Sequence, residues 1–451
     1  MAQVDLAARP RRWTWTLAPL GAPAAAAGLG ALLLARRSLG TDEAAALEAA
    51  RGPFGDVVEN ALEHDPAQAG YLALLRPVVA LSDAEWAVRA PSVVAAALAA
   101  LFAYWLGAQL FGRLAGIVTA GTLAANAALV AASQQARPYA LAVAWMVLVT
   151  DFFVRALERE SAWWWALYAV SVVALPLTHP IAASVLLAHG AVLVTAWRKV
   201  RARVALPALA FAGVEAALLL AAAAVDRADT PDGTGGLELG EVTLAFFRAS
   251  GRSPVLLALA ALGIGALVAG RVPGAEHWKA VLVGALVAAP AAALLLAGTS
   301  LPVYPERALV ACAPGLALAC GAAVAWIPRR EIAWASVAAV AVVSAFWVVR
   351  WYAHPDAEDW RSAASAVAAG RSPRETVVVL PERSRPAYSY YAPSTPLTRR
   401  ARGDGSWVLV RAADDTTAIE AGREVVDTPA FALREQRRFG DELVVQHWVR
   451  P

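Results

Sequence analysis

The sequence predicts an α-helical polytopic membrane protein of about eleven transmembrane helices with a small C-terminal α/β domain outside the membrane. Three observations carry this. Hydrophobic residues fill 59% of the 451 positions and Asp, Glu, Lys and Arg only 17%, with a mean hydropathy of +0.52, whereas soluble domains run at about 45–50% and about 25%. Apolar runs of membrane-spanning length recur along the first 350 residues. Charge is concentrated at the other end, where residues 352–451 hold 28 of the 75 charged residues and leave 47 for the rest of the chain.

A helix needs about 20 apolar residues to cross ~30 Å of hydrocarbon, because its backbone must satisfy its own polar groups there. Eleven stretches fit, near 15–35, 90–111, 114–133, 138–156, 162–178, 180–197, 204–224, 253–270, 279–298, 307–327 and 332–350. The boundary between the fifth and sixth rests on Thr178-His179-Pro180. The first run continues to Leu34 and reads as a retained anchor rather than a cleaved signal. With a cytoplasmic N-terminus, the inner segments collect 14 basic residues, among them Arg9, Arg11, Arg12, Arg155, Arg159, Arg198, Lys199, Arg201 and Arg203. The short outer loops hold only Arg137 and Arg307, as the positive-inside rule requires, although Arg36 and Arg37 run against it. An odd number of spans places residues 352–451 outside the cell membrane.

The chain therefore divides into a membrane part, 1–351, and an extracytoplasmic α/β domain, 352–451. Within the membrane part, the first outer loop, 38–88, alternates charged residues with Val57, Val58, Leu62, Leu72, Leu74, Leu75 and Val78 at helical spacing, the pattern of helices lying in the interface. A second outer segment, 226–252, with Asp226, Asp229, Asp232 and the glycines Gly233, Gly235 and Gly236, reads as an acidic, glycine-rich loop. In the tail, a helix is expected over Asp359 to Gly370, with strands at Thr376-Val-Val-Val-Leu380, Ser406-Trp-Val-Leu-Val410 and Glu442-Leu-Val-Val-Gln446.

A net charge of +3 without a basic stripe argues against nucleic acid. No glycine-rich phosphate loop, paired-cysteine zinc spacing or serine elbow is present, so nucleotide hydrolysis has no support. The two cysteines, Cys312 and Cys320, share one apolar run and read as core thiols.

Ionisable groups at the outer membrane boundary remain as site candidates. Asp42 and Glu43 follow the first span closely, where a carboxylate can take a proton from an acceptor hydroxyl; the other reading is a helix cap, with Glu43 in the favourable first turn. His64-Asp65-Pro66 is either a second acidic or imidazole group facing Asp42 or a helix stop followed by a proline start. Arg89, at the start of the second span, is an interface anchor or a partner to one of these acids. Arg137, Arg307 and His179 come from three separate outer loops, and arginine suits a lipid phosphate through its bidentate fork. Snorkelling to lipid, or for His179 a capping role, is the alternative.

The ordered set of motifs resembles the GT-C superfamily of polytopic glycosyltransferases, in particular the protein O-mannosyltransferase and lipid A aminoarabinose transferase relatives of actinobacterial type. The resemblance rests on Asp42-Glu43, His64-Asp65-Pro66 with Tyr71-Leu72, Glu85-Trp-Ala-Val-Arg-Ala-Pro-Ser92, Ala136-Arg-Pro-Tyr-Ala140, Thr178-His179, Tyr304-Pro-Glu-Arg-Ala308 with Pro314, Asp359-Trp-Arg361 and Pro386-Ala-Tyr-Ser-Tyr-Tyr391. It implies a membrane transferase, similar to mannosyltransferases, that moves a sugar from a polyprenyl-phosphate donor to an acceptor hydroxyl on the outer face, the acceptor being protein, glycolipid or wall glycan. It makes Asp42 the catalytic base with Glu43 as an accessory acid and Arg137 and Arg307 the holders of the lipid phosphate; His179 joins these two as a phosphate-site candidate, and His64, Asp65, Arg89 and Tyr139 are candidate acceptor or accessory groups. Two departures stand out: lysine is confined to Lys199 and Lys279 on the inner side, and Leu39-Gly40-Thr41 lacks the aromatic residue that relatives often carry. The chemistry needs no soluble cofactor; a divalent metal at Asp42 and Asp65 is left open.

In another functional class, a transporter or flippase of lipid-linked sugars would need ionisable or broken-helix positions near mid-membrane, where Asp151 and Glu215 are the acids well inside spans. A non-catalytic scaffold would make Asp42 dispensable. The orientation itself has a direct check: alkaline phosphatase fused after Trp351 should be active, and an inactive fusion would overturn every outer-face assignment.

Overall fold

Helices dominate the computed structural model, which describes residues 18–64, 68–159, 161–196, 239–297, 308–354, 358–412, 414–426 and 430–451. Among the described residues, five helices are long and apolar enough to cross a membrane: Glu85–Phe111, Tyr139–Arg159, His277–Leu295, Leu309–Trp326 and Arg330–Ala353. Two bent pairs raise the number to seven if each is one span. Ala162–Thr178 and Pro180–Thr195 are shorter apolar helices, meeting at the expected Thr178-His179-Pro180 boundary. The first expected run is helical over Ala18–Ala31, and the run at 204–224 lies outside the described residues.

By packing, the chain forms two units. One comprises Met1–Leu32, Val58–Tyr71 and Ala90–Trp351; the other comprises Leu33–Val57, Leu72–Arg89 and Tyr352–Pro451. Most of the expected first outer loop thus groups with the last hundred residues, whereas the sequence reading assigned it to the membrane part.

In the helical unit, Leu309–Trp326 is central, with 89% of its apolar window buried against 22% for Arg330–Ala353. Small residues explain how it fits, since helices in lipid associate through close packing rather than hydrophobic exclusion. A Cβ on Gly315 would stand 2.7 Å from the backbone of Leu286. Cys312 and Cys320 are fully buried here, as core thiols should be.

The run at 114–133 is not one straight helix. Arg113–Ala124 and Ala127–Ser133 meet at 58°, and Asn126 sits at the break. Its side-chain oxygen accepts from the amides of Ala128 and Leu129 at 2.9 and 3.2 Å, while its amide nitrogen donates to the Ala249 carbonyl at 3.0 Å. Those bonds satisfy backbone donors that a helix start would otherwise leave unpaired. The expected loop 226–252 also differs: Leu239–Ala249 is a helix, because Val242, Ala245 and Ala249 form a buried apolar stripe. Val242–Ala249 then turns by 92° into Pro254–Val268, with Ser253 Oγ accepting from the Leu256 amide at 3.1 Å.

The second unit is built on a five-stranded sheet, β1 (Thr376–Leu380), β2 (Leu397–Thr398), β3 (Gly405–Arg411), β4 (Ala432–Phe439) and β5 (Leu443–Val449), in the order β2-β1-β3-β5-β4. The β1 pairings are parallel, and β5 pairs antiparallel with both β3 and β4. Both faces are covered over the inner strands, so β1, β3 and β5 read as continuous apolar runs. Val377, Val379, Trp407, Leu409 and Val445 pack with Trp360, Val367 and Tyr388 on one face; Val378, Val408, Val410 and Val444 pack with Ala418 and Phe431 on the other. Ala44, from the expected outer loop, joins the first cluster. The helix Trp360–Gly370 starts where Asp359 accepts from the Ser362 amide at 3.0 Å. β4 was not legible: its Leu-Arg-Glu-Gln-Arg-Arg run is the charged edge strand that protects an exposed sheet edge.

Candidate active site

Glu43 and Arg89 meet in a buried ion pair of the sheet-bearing unit. Arg89 Nε donates to Glu43 Oε1 and Nη2 to Oε2, both at 2.8 Å. Nη1 donates to the carbonyls of Leu34 and Arg37 at 2.8 and 2.9 Å, and Nη2 also to that of Ser38 at 2.8 Å. A guanidinium has five N–H groups, and all five find acceptors here. Arg89 is 1% exposed. Glu43 accepts in addition from the Gly40 amide at 3.1 Å, the reciprocal contact of a third helical residue to its N-cap. Of the two roles the sequence allowed Arg89, the structure shows the partner to an acid. Both oxygens of Glu43 are engaged in holding the loop from Leu34 to Gly40.

Asp42, half-buried, lies between two fixed neighbours in the first turn of Thr41–Ala49. On its other side, Thr41 donates its amide and its hydroxyl to Glu358 Oε2 at 2.7 and 2.6 Å. Trp360 Nε1 donates to the same oxygen at 2.7 Å, and Arg411 Nε reaches Glu358 Oε1 at 2.9 Å. Burial works against the charge of Arg411, but Glu358, Glu442 and Asp42 outweigh it and hold its guanidinium above the ordinary value. The loop has a further anchor in Tyr391, whose hydroxyl accepts from the Leu39 amide at 2.6 Å and donates to Glu85. Burial and the Glu85 carboxylate push that hydroxyl up, so it stays protonated. Arg361 pairs with the other oxygen of Glu85.

A second group forms in the helical unit. The Arg137 guanidinium lies 5.7 Å from the centroid of the Tyr139 ring, and the Tyr139 and His179 rings are 5.0 Å apart. Arg137 and His179 are half-buried. His179 Nδ1 accepts from the Ile181 amide at 3.2 Å, so the neutral ring carries its hydrogen on Nε2 and caps the 3-10 turn Pro180–Ser184. Ser92 Oγ donates to the Arg137 carbonyl at 3.2 Å and lies 3.4 Å from the Tyr71 hydroxyl. Three of the expected groups, Arg137, Tyr139 and His179, are thus brought together. Arg307 and Asp65 lie outside the described residues, and His64 ends the helix Phe54–His64. Among the described residues, no group of three or more His, Cys, Asp or Glu is placed to hold a metal. Glu358 and Arg411 went unread in the sequence, where nothing marks them among the many charges of the tail.

A family model described as dolichyl-phosphate-mannose-protein mannosyltransferase matches residues 69–225. ArnT from Cupriavidus metallidurans, in its apo state, superposes with a TM-score of 0.62 at 12% identity, over 96% of this chain and 98% of that one. The chain has the fold of the GT-C membrane glycosyltransferases. The same ArnT bound to undecaprenyl phosphate gives 0.60 at 12% identity, over 97% and 98% of the two chains. The archaeal oligosaccharyltransferase AglB from Archaeoglobus fulgidus, in complex with an inhibitory peptide and a dolichol-phosphate, gives 0.55 at 12%, over 96% and 74%. No curated protein sequence matches significantly. The family match takes in Arg89, Arg137, Tyr139 and His179 and leaves Asp42 and Glu43 outside.

The five-acceptor arrangement around Arg89 makes a specific demand on any replacement. Arg89→Met leaves the Glu43 carboxylate buried without this guanidinium, which should lower stability by about 3–5 kcal/mol. Thermal melting and amide exchange across residues 34–43 check it, and unchanged exchange there would remove Arg89 from the role of loop anchor.

Proposed function

We propose that this protein is a glycosyltransferase that moves a sugar, mannose or a similar hexose, from a polyprenyl-phosphate donor to an acceptor hydroxyl at the outer face of the cell membrane. It would do so as a multi-pass protein of eleven spans, with a cytoplasmic N-terminus and residues 352–451 outside. The observation that carries this reading is the placement of Asp42, a half-buried carboxylate whose neighbours on both sides are clamped, in a chain of GT-C fold. The lipid carriers bound to ArnT and AglB, and the donor in the description of the matching family model, support the donor class.

In this mechanism Asp42 takes the proton of the acceptor hydroxyl while that oxygen attacks the anomeric carbon. The bond from the anomeric carbon to the phosphate oxygen breaks, and the lipid phosphate departs with the electron pair. The attack comes from the face opposite the leaving group, so the anomeric configuration inverts. Arg137, with His179 Nε2 as a further donor and Arg307 from its own loop, would neutralise the departing phosphate, an electrostatic contribution of roughly 3–4 kcal/mol per well-placed donor. Glu43 would act through position rather than as a second base, since Arg89 and the Gly40 amide occupy its oxygens. The transporter reading gains little from its acids. Asp151 is neutralised one turn along its own helix by Arg155, at 2.7 and 3.0 Å, and Glu215 lies outside the described residues.

Asp42→Asn keeps size and hydrogen bonding but removes basicity. It should lower turnover by about 10²-fold or more, with melting temperature and undecaprenyl-phosphate binding unchanged. Transfer from polyprenyl-phosphate mannose to envelope fractions of a deletion strain is the assay, and a parental rate would end the catalytic reading of this residue. Glu43→Gln should instead show first as a lowered melting temperature.

Arg137→Ala should weaken use of the same donor, raising its KM, while Arg137→Lys keeps part of the interaction because a point charge replaces the bidentate fork. Donor dependence equal to the parent in Arg137→Ala would remove it from the phosphate site.

A further inference from the structure

We propose that Glu358 and Arg411 are positioning residues for Asp42, so that the reaction depends on two side chains from the C-terminal α/β segment. The inference rests on the reading of Asp42 as the base and goes beyond it by naming what holds that base in place.

Asp42 sits in the first turn of a nine-residue helix, where ends fray unless their free amides find partners. Gly40, the N-cap, has no side chain to supply one, and the structure recruits the acceptors from elsewhere. Glu43 takes the Gly40 amide at 3.1 Å, and Glu358 takes the Thr41 amide at 2.7 Å. Thr41 is 1% exposed and Glu358 8%, so this clamp works out of contact with bulk water, where a charge-assisted hydrogen bond is strong. Glu358 cannot swing away. Trp360 Nε1 holds one of its oxygens at 2.7 Å and Arg411 the other at 2.9 Å, while Arg411 is gripped in turn by Glu442 at 2.9 and 3.1 Å.

Arg411 does more than close this chain of contacts. Its guanidinium interacts with three carboxylates, Glu358 and Glu442 in direct contact and Asp42 through its charge. Removing its charge would leave the three acids facing one another. Position comes from the Glu358–Thr41 contacts, and Arg411 holds Glu358 in place for them, so both act on the chemical step rather than on the binding of the lipid.

The test uses the full-length protein in detergent or nanodiscs, with polyprenyl-phosphate mannose as donor and undecaprenyl phosphate as the binding probe. Glu358→Gln and Arg411→Gln should each lower kcat by about tenfold or more and leave the donor KM and undecaprenyl-phosphate affinity near parental, with Arg411→Lys recovering much of the loss. In an Asp42→Asn background, Arg411→Gln should lower the residual rate no further, because the residue it serves is already gone. A loss of the same size in both backgrounds would mark a merely structural role and overturn the proposal, as would parental kcat in both glutamine variants. Should these fail to bind undecaprenyl phosphate, Thr41→Val decides, since it removes the hydroxyl contacts to Glu358 at 2.6 Å and Ser384 at 3.3 Å and leaves the amide bond to Glu358 in place: reduced kcat at normal affinity supports the proposal and parental kcat overturns it. Full activity of Asp42→Asn itself would instead mean that the underlying assignment of the base is wrong.

Discussion

A single guanidinium, that of Arg89, fixes the loop on which the candidate chemistry depends. Taking a charged group out of water is tolerable only when its hydrogen-bonding capacity is met. Here three backbone carbonyls between Leu34 and Ser38 and both oxygens of Glu43 meet it. Because the acceptors belong to consecutive turns of one short loop, satisfying the cation and shaping the loop are the same event. Asp42 inherits its place from this, one residue before Glu43.

The same demand explains the helical unit. Where the apolar runs bend, the freed backbone donors are taken up by Asn126 and Ser253, and where helices touch most closely, small residues such as Gly315 leave room for backbone against backbone. The polar side chains of Asn126 and Ser253 are thus tied to specific backbone groups. Gln134 is another: its amide donates to the Leu32 carbonyl at 2.7 Å and its oxygen accepts from Trp351 Nε1 at 3.0 Å.

What could be read in the sequence was whatever depends on local apolar pattern. The break at Thr178-His179-Pro180, the helix after Asp359 and the strands around Val378, Val408 and Val444 all announce themselves through hydrophobic runs and their stops. The bend at Asn126 did not, since a lone asparagine in an alanine-rich run leaves the mean hydropathy of that span almost unchanged. β4 did not either, because an edge strand is selected for charge. Within the candidate site, Asp42, Glu43 and Arg89 were visible as ionisable residues at a membrane boundary, but which acid pairs with Arg89 depends on contacts across 46 positions. Glu358 was harder still: its link to Thr41 spans 317 positions, and in sequence it is one carboxylate among many.

That span of 317 positions also orders events in time. Arg89 and Glu43 are made early and can pair as soon as both have left the ribosome. The carboxylate that secures Thr41 follows more than 260 residues after Arg89, which at roughly 5–20 residues per second is a delay on the order of 15 to 60 s. During biosynthesis the loop bearing Asp42 therefore exists first as a half-fastened segment. A nascent or truncated chain would carry every group around Arg89 and still lack the second clamp, so competence for the proposed reaction would arrive only once Glu358 has been synthesised.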